Sequence, residues 1–318
     1  MKNKLRKIGL LVVMVTMLTA CTTPLRNENN ETITNPVTGQ SLTENILCKP
    51  IDEETKKLYI DNGVDIDALP ECSEMSISGD YQGLWTTIFV RPLAFLILQL
   101  AKIVSSPILA IIIITLIIRL ILYPVTRKTA LQSENLKKAQ PELNRIEKKY
   151  EGKTDQESMT RKSQEMLLIY KKYSINPISG CLFSLIQIPL LFAFLEAINR
   201  VPAIFEETIF QGSFFELQMG TTPWYAMTHG SWYYVLISIL IIVTTYFSFR
   251  LTTNRNKNNN NNAEESLMDK QNKIMMITMV VLTGILSFSL PVAIAIYWIT
   301  SSLFTIIQNF IILHKKEN

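Results

Sequence analysis

The sequence predicts an all-α membrane protein: a bundle of five transmembrane helices with an external interfacial helix and a cytoplasmic helical hairpin. Three observations predict it. Several apolar runs approach the roughly 20 residues needed to cross about 30 Å of hydrocarbon. Charge is segregated from these runs, since 48% of the 318 residues are hydrophobic and 18% charged, at a mean hydropathy of +0.20. Lysine and arginine crowd into alternate connectors, the pattern that orients membrane helices.

Residues 1–20 read as an export signal, with Lys2, Lys4, Arg6 and Lys7 ahead of a short apolar stretch from Ile8 to Leu18. The signal ends Leu18-Thr19-Ala20-Cys21, which resembles the lipobox of bacterial lipoproteins. That resemblance implies cleavage before Cys21, diacylation of its thiol and a lipid-anchored mature N-terminus outside the cell. An uncleaved first span is the alternative, but a stretch this short makes a poor span. Residues 21–83 then form an acidic external segment, with twelve acidic and four basic side chains after Cys21. Few aromatics and high charge predict a loosely structured chain. Cys48 and Cys72 lie in it, outside the reducing cytoplasm, so a disulfide and two free thiols both fit.

Residues 84–318 form the membrane core. Leu84–Val104 is apolar but holds Arg91-Pro92, Gln99 and Lys102, which suits a helix lying in the outer interface. Five spans follow, at Pro107–Val125, Ile178–Ile198, Trp232–Phe249, Ile274–Leu290 and Val292–Leu313. The connector between the first two carries twelve Lys/Arg and belongs in the cytoplasm. Loop 200–230 has one arginine against Glu206, Glu207 and Glu216 and lies outside. Arg250, Arg255, Lys257, Lys270 and Lys273 place connector 250–273 inside, and His314-Lys315-Lys316 places the C-terminus there too. Lipobox and charge pattern thus agree on a multi-pass cell-membrane protein. Its Asn run at 258–262 reads as a tether.

Within the first cytoplasmic connector, 127–173 reads as two helices broken at Glu151-Gly152-Lys153-Thr154-Asp155. Thin apolar stripes, Leu131, Leu136, Leu143, Ile146 and Tyr150 on one and Met159, Met166, Leu167 and Tyr170 on the other, predict a mobile antiparallel hairpin. Its balance of +5 suits a solvated stalk as well as a surface for anionic lipid or ribosomal RNA.

Arg119 stands out inside the first span. A mid-span arginine costs roughly 2.5–3.5 kcal/mol on insertion scales and faces protein or water, unless it snorkels. Thr115, one turn earlier, extends the same face; Gln187 in the second span needs a hydrogen-bond partner, and Trp298 in the fifth has an indole N–H to satisfy. Together they predict a hydrated pocket. Met275, Met276 and Met279 suit either adaptable binding or plain packing. No His/Cys cluster has metal-ligand spacing, no phosphate-binding glycine loop occurs, and no nucleophile–base pair is evident. Neither metal nor cofactor, nor catalytic residues, nor a small-molecule substrate is expected, and the chain does not read as an enzyme.

Several stretches resemble the YidC family of membrane protein insertases, in its Gram-positive lipoprotein type. They are Ile117-Ile118-Arg119-Leu120 with Pro124, Gln140-Pro141-Glu142-Leu143 through Lys148-Lys149-Tyr150, and above all Tyr170 through Cys181 followed by Leu185-Ile186-Gln187-Ile188-Pro189. Leu290-Pro291, Ile296-Tyr297-Trp298 and Ile306-Ile307-Gln308 complete the pattern, which covers roughly residues 80–313. The resemblance implies a five-span core with a cytoplasm-open hydrophilic groove, the groove arginine falling on Arg119 and its polar partners on Gln187 and Trp298. It also implies nascent membrane proteins as clients, delivery by the ribosome and signal recognition particle pathway, contact with membrane lipids, and the Sec translocon as a further partner. A membrane transporter and a non-inserting assembly scaffold are the alternatives. The acidic external segment and the Asn-rich connector depart from the family pattern.

Overall fold

Hydrocarbon offers no hydrogen bonds to the backbone, so apolar runs of this length are confined to helix. The computed structural model describes residues 22–176, 179–209, 216–253 and 267–314 and is helical in most of them. The signal at 1–20, Cys21, the Asn run 258–262 and the C-terminal lysines lie outside the described residues. In chain order the elements begin with α1 (Glu53–Asp61), a π-turn (Thr86–Val90), α2 (Arg91–Val104), α3 (Pro107–Lys149) and α4 (Gln156–Lys172). After these come α5 (Ser179–Asn199), α6 (Pro202–Phe205), strands β1 (Thr208–Ile209) and β2 (Leu217–Gln218), and α7 (Pro223–Thr228). A 3-10 turn (Trp232–Tyr234) leads into α8 (Val235–Thr253), α9 (Leu267–Ser289) and α10 (Val292–His314). The strands pair antiparallel, Thr208 opposite Gln218.

Among the described residues, four stretches are long and apolar enough to cross a membrane: Thr86–Val104, Pro107–Leu136, Trp232–Leu251 and Val292–Ile312. Gln187–Asn199 and Met276–Ser289 are shorter apolar helices among the described residues. Thr86–Val104 therefore qualifies as a span by length, although its polar residues read as interfacial. Those residues sit toward its ends: Arg91 donates to the carbonyl of Asp80, and the Lys102 ammonium donates to that of Ser73. Ser105, in the left-handed region at φ 55°, stops α2, and Pro107 opens α3 where its missing N–H is harmless.

The chain forms two compact units. One comprises the described parts of 1–117, 187–241 and 284–301; the other, those of 118–186, 242–283 and 302–318.

In the first unit, residues 22–83 are not loose, contrary to their composition. Leu25, Leu42, Ile46, Tyr59 and Ile66 form a core closed by Phe205, a residue from the loop after α5. Asn35 accepts from the amides of Val37 and Thr38 and donates to the Thr55 hydroxyl at 2.9 Å, which ties a tight turn to α1. Asp52 caps α1 by accepting from the Thr55 amide at 2.8 Å. Cys48 and Cys72, both buried, are joined in a disulfide. A few well-placed apolar side chains and a cross-link thus suffice where charge covers the outside. Gly39, at φ +69°, lies against the Tyr225 ring, and a Cβ there would stand 2.1 Å from Cγ.

The loop after α6 carries two half-buried acids. Glu206 accepts from the amides of Ile51 and Asp52 at 2.8 and 3.1 Å, yet burial raises its carboxyl above the usual range. Burial also pushes Glu207 up to about 7. Beyond this loop, the first two amides of α10 donate to carbonyls of residues just past β2, Val292 to Thr221 and Ala293 to Met219, both at 3.1 Å.

In the second unit, α3 continues past its apolar stretch without a break. Its 43 residues run about 65 Å at 1.5 Å each, with Pro124 and Pro141 inside. The expected boundary between span and first hairpin arm near residue 126 does not exist, because one proline removes one ladder bond and the next turns hold. A turn with Gly152 at φ +75° reverses the chain, and Asp155 caps α4. The helices run antiparallel, linked by Lys149–Glu165 and Lys172–Glu142, each at 2.6 Å, with Tyr150 and Tyr173 donating to the same carboxylates. Helix α4 fully buries none of its own residues, whereas Ala139, Leu143 and Ile146 of α3 and Tyr150 just after it are buried, so the apolar stripe of α3 and these polar rungs share the pairing.

Two outcomes follow for the first unit. The intact protein should show no free thiol at Cys48 or Cys72 before reduction, and replacing both with serine should cost about 3 kcal/mol in the loop-entropy account for a separation of 24 residues. Proteolytic melting of the segment in the full chain measures this. Glu207 binds its proton more tightly folded than unfolded, so its contribution is complete below the ordinary carboxyl pKa near 4.5 and is lost as pH rises through about 7. Glu207→Gln should raise the melting midpoint at pH 8 and leave it unchanged at pH 4.5.

Candidate functional site

Helix α3 sorts its side chains by face. Leu116, Ile117, Leu120 and Ile121 are exposed, as apolar groups facing lipid would be, while Thr115, Arg119, Thr126 and Thr129 are buried. These four follow a helical spacing of four, seven and three, which keeps them on one side. Arg119 is only 5% exposed. Its guanidinium is therefore largely covered by protein. Thr115, 1% exposed, donates back to the Ile111 carbonyl at 2.6 Å, the usual local solution for a hydroxyl in an apolar helix.

Arg119 belongs to the second unit, and there the same face of α3 carries a buried polar pair. Thr126 and Gln308 exchange hydrogen bonds, the hydroxyl donating to Oε1 at 3.1 Å or accepting from Nε2 at 3.0 Å. Asn309 beside it is buried too. The sequence offered Gln308 only as part of a family-like stretch, and nothing in spacing links positions 182 residues apart.

Gln187 and Trp298 belong to the first unit, with Thr115. The Gln187 amide donates to the Tyr297 hydroxyl at 3.1 Å. Tyr297 is fully buried and stacks on Phe194, with ring centroids 4.2 Å apart. Trp298, its neighbour, is half-buried. The partner that a mid-span glutamine requires is thus a tyrosine hydroxyl, adjacent in sequence to the tryptophan that the sequence singled out.

A third buried polar group escaped the sequence reading altogether. Glu196 accepts from the Trp85 indole at 2.9 Å and pairs with Arg200, whose side chain is completely buried. In sequence, Arg200 is simply the lone basic residue of an outer loop. Among the described residues no group of three His, Cys, Asp or Glu could hold a metal ion.

Long apolar helices that carry buried polar side chains define a multi-pass membrane protein. The family model described as 60Kd inner membrane protein matches residues 99–318. The chain is 32% identical over 247 residues to "Membrane protein insertase YidC" of Oceanobacillus iheyensis, covering 77% of this chain and 90% of that one. It is 30% identical over 247 residues to "Membrane protein insertase MisCA" of Bacillus subtilis, covering 77% and 85%. Among solved structures, "Active YidC insertase crystal structure with the first transmembrane domain resolved" is similar at a TM-score of 0.51 and 25% identity, over 80% of this chain. The chain spans about half (51%) of that solved chain. This chain belongs to the 60Kd inner membrane protein family, the family of the YidC insertases.

The Thr126–Gln308 pair is testable by a double-mutant cycle of Thr126→Val and Gln308→Leu on unfolding in detergent. A coupling of about 0.6–1.7 kcal/mol is expected for an interhelical hydrogen bond in a membrane protein, and strict additivity would remove the bond.

Proposed function

We propose that this chain inserts integral membrane proteins into the bacterial cytoplasmic membrane and helps them fold, alone or with the Sec translocon. The observation that carries the reading is Arg119, an arginine buried on the inward face of an apolar helix. Family membership supports it, since the relatives are named as insertases.

In this reading a hydrophilic groove open to the cytoplasm receives the client's polar or acidic segment. Arg119 supplies positive charge, and Gln187, Thr115 and Trp298 supply polar contacts. The client's backbone and charged groups then have less hydrocarbon to cross. Its apolar segment partitions into lipid, worth about 25 cal/mol per Å2 removed from water. The membrane potential adds about 2.3 kcal/mol per charge per 100 mV. These terms drive insertion without nucleotide hydrolysis.

The layout proposed with this function has five spans, beginning at Pro107, with α2 lying in the outer interface. Both ends of α2 support that: Arg91 reaches Asp80 and Lys102 reaches Ser73, so the helix runs alongside residues 73–80 instead of away from them. Cys21 would carry the lipid anchor outside, and the C-terminus would lie in the cytoplasm. The basic pair α3–α4 would receive clients from the ribosome and signal recognition particle, and would touch anionic lipid.

Arg119→Ala should lower the initial insertion rate of a single-span client with an acidic external tail by roughly tenfold or more, about 1.4 kcal/mol of barrier, at unchanged protein level. Arg119→Lys should keep most of the rate. Reconstituted proteoliposomes and a radiolabelled client measure both, and wild-type insertion by Arg119→Ala would remove the role of charge.

A further inference from the structure

The family model begins at residue 99, so nothing in it accounts for residues 22–83. Yet that segment is not self-contained. Its core is completed by Phe205, the amides of Ile51 and Asp52 rest on Glu206, and Tyr225 donates to the carbonyl of Pro36 at 2.5 Å. Each of these partners comes from the stretch between α5 and α8.

The strongest tie is Arg200, one residue beyond α5. A guanidinium removed wholly from water is tolerated only when its donors are met. Here Nε donates to the Asn45 carbonyl at 2.7 Å, one terminal nitrogen to the Thr86 hydroxyl at 3.0 Å, and the other to Gln82 Oε1. Glu196 stands 3.7 Å away and holds Trp85 as well. In the reverse direction, the Leu47 amide donates to the Arg200 carbonyl at 2.8 Å, and Gln40 donates to Asn199 at 3.2 Å. The socket of Arg200 is therefore built from residues 45 and 82 of the segment, Thr86 of the π-turn and Glu196 of α5. Withdrawing the segment would strip the arginine of two acceptors.

Both helices that carry the Gln187–Tyr297 contact end in this assembly. Helix α5 finishes at Asn199, beside Arg200. The first amides of α10 are held by Thr221 and Met219, five and four residues before Tyr297. Phe194, stacked on Tyr297, lies between Gln187 and Glu196 in the same helix.

We propose that residues 22–83 are a brace of the insertase and that Arg200 is its latch, a positioning residue that fixes α5 so that Gln187 meets Tyr297. The link to insertion rests on the function proposed above; the link to helix position does not. The segment then sets the geometry of the membrane contact from outside it, and an intact fold of 22–83 becomes a condition for full activity.

The test uses the full chain in proteoliposomes with two readouts: bifunctional-reagent cross-linking of a Gln187→Cys, Tyr297→Cys pair, and initial client insertion with the native residues at those positions. Arg200→Ala should lower both by roughly tenfold, as loss of a buried ionic partner does. Gln82→Ala, which keeps the arginine and its other acceptors, should lower both by a smaller factor, and Arg200→Lys, a point charge without the planar fork, should not restore them. Arg119→Ala should lower insertion and leave the cross-link unchanged. Wild-type cross-linking in Arg200→Ala and Gln82→Ala would overturn the latch. If Arg200→Ala fails to accumulate, Gln82→Ala decides in the same way. Failure of the insertase reading looks different, with Arg119→Ala inserting normally while the cross-link still responds to Arg200.

Discussion

A positive charge inside an apolar helix constrains everything around it. Arg119 cannot face lipid without a penalty of several kcal/mol, so the face that bears it must meet protein or water. The rest of α3 obeys that requirement: Leu116, Ile117, Leu120 and Ile121 face outward, and the threonines at 115, 126 and 129 share the buried side. A helix sorted in this way cannot rotate freely. Arg119 and the threonines together settle which face of the helix turns away from lipid.

Polar groups within the bundle are met in pairs. Thr126 answers Gln308, and Gln187 answers Tyr297. In hydrocarbon such pairs fix register more than they add stability, because the alternatives to each partner are few. The Arg200 assembly follows the same rule at the end of α5, with higher stakes because the group is charged and wholly buried. A segment of about sixty residues is joined there through a guanidinium as well as through the apolar contact of Phe205.

Much of the fold was legible because transfer energies dominate it. Apolar runs, the clustering of lysine and arginine, and a lone arginine within a span are signals carried by single residues and their neighbours. What escaped depends on distant residues meeting. The core of residues 22–83 needs Phe205, so composition within the segment pointed to disorder. Arg200 read as a loop charge because its acceptors lie 114 to 155 positions away. Tyr297 stood next to the singled-out Trp298, yet its hydroxyl, not the indole, takes the Gln187 amide. The continuity of α3 was not legible because charge begins abruptly at Arg127 and prolines stand at 124 and 141, although most residues from Thr126 to Lys149 are ones a helix accepts readily.

The function proposed above requires that water from the cytoplasm reach the guanidinium at 119. Inverted membrane vesicles carrying Arg119→Cys, in a background with Cys181 replaced, put it to the most direct test. Reaction with a membrane-impermeant maleimide from the exposed cytoplasmic face, at a rate within reach of a cysteine in the α3–α4 turn, is the predicted result. A thiol that stays unreactive there while an exposed turn cysteine labels fully would mean a sealed apolar environment, and would contradict the account.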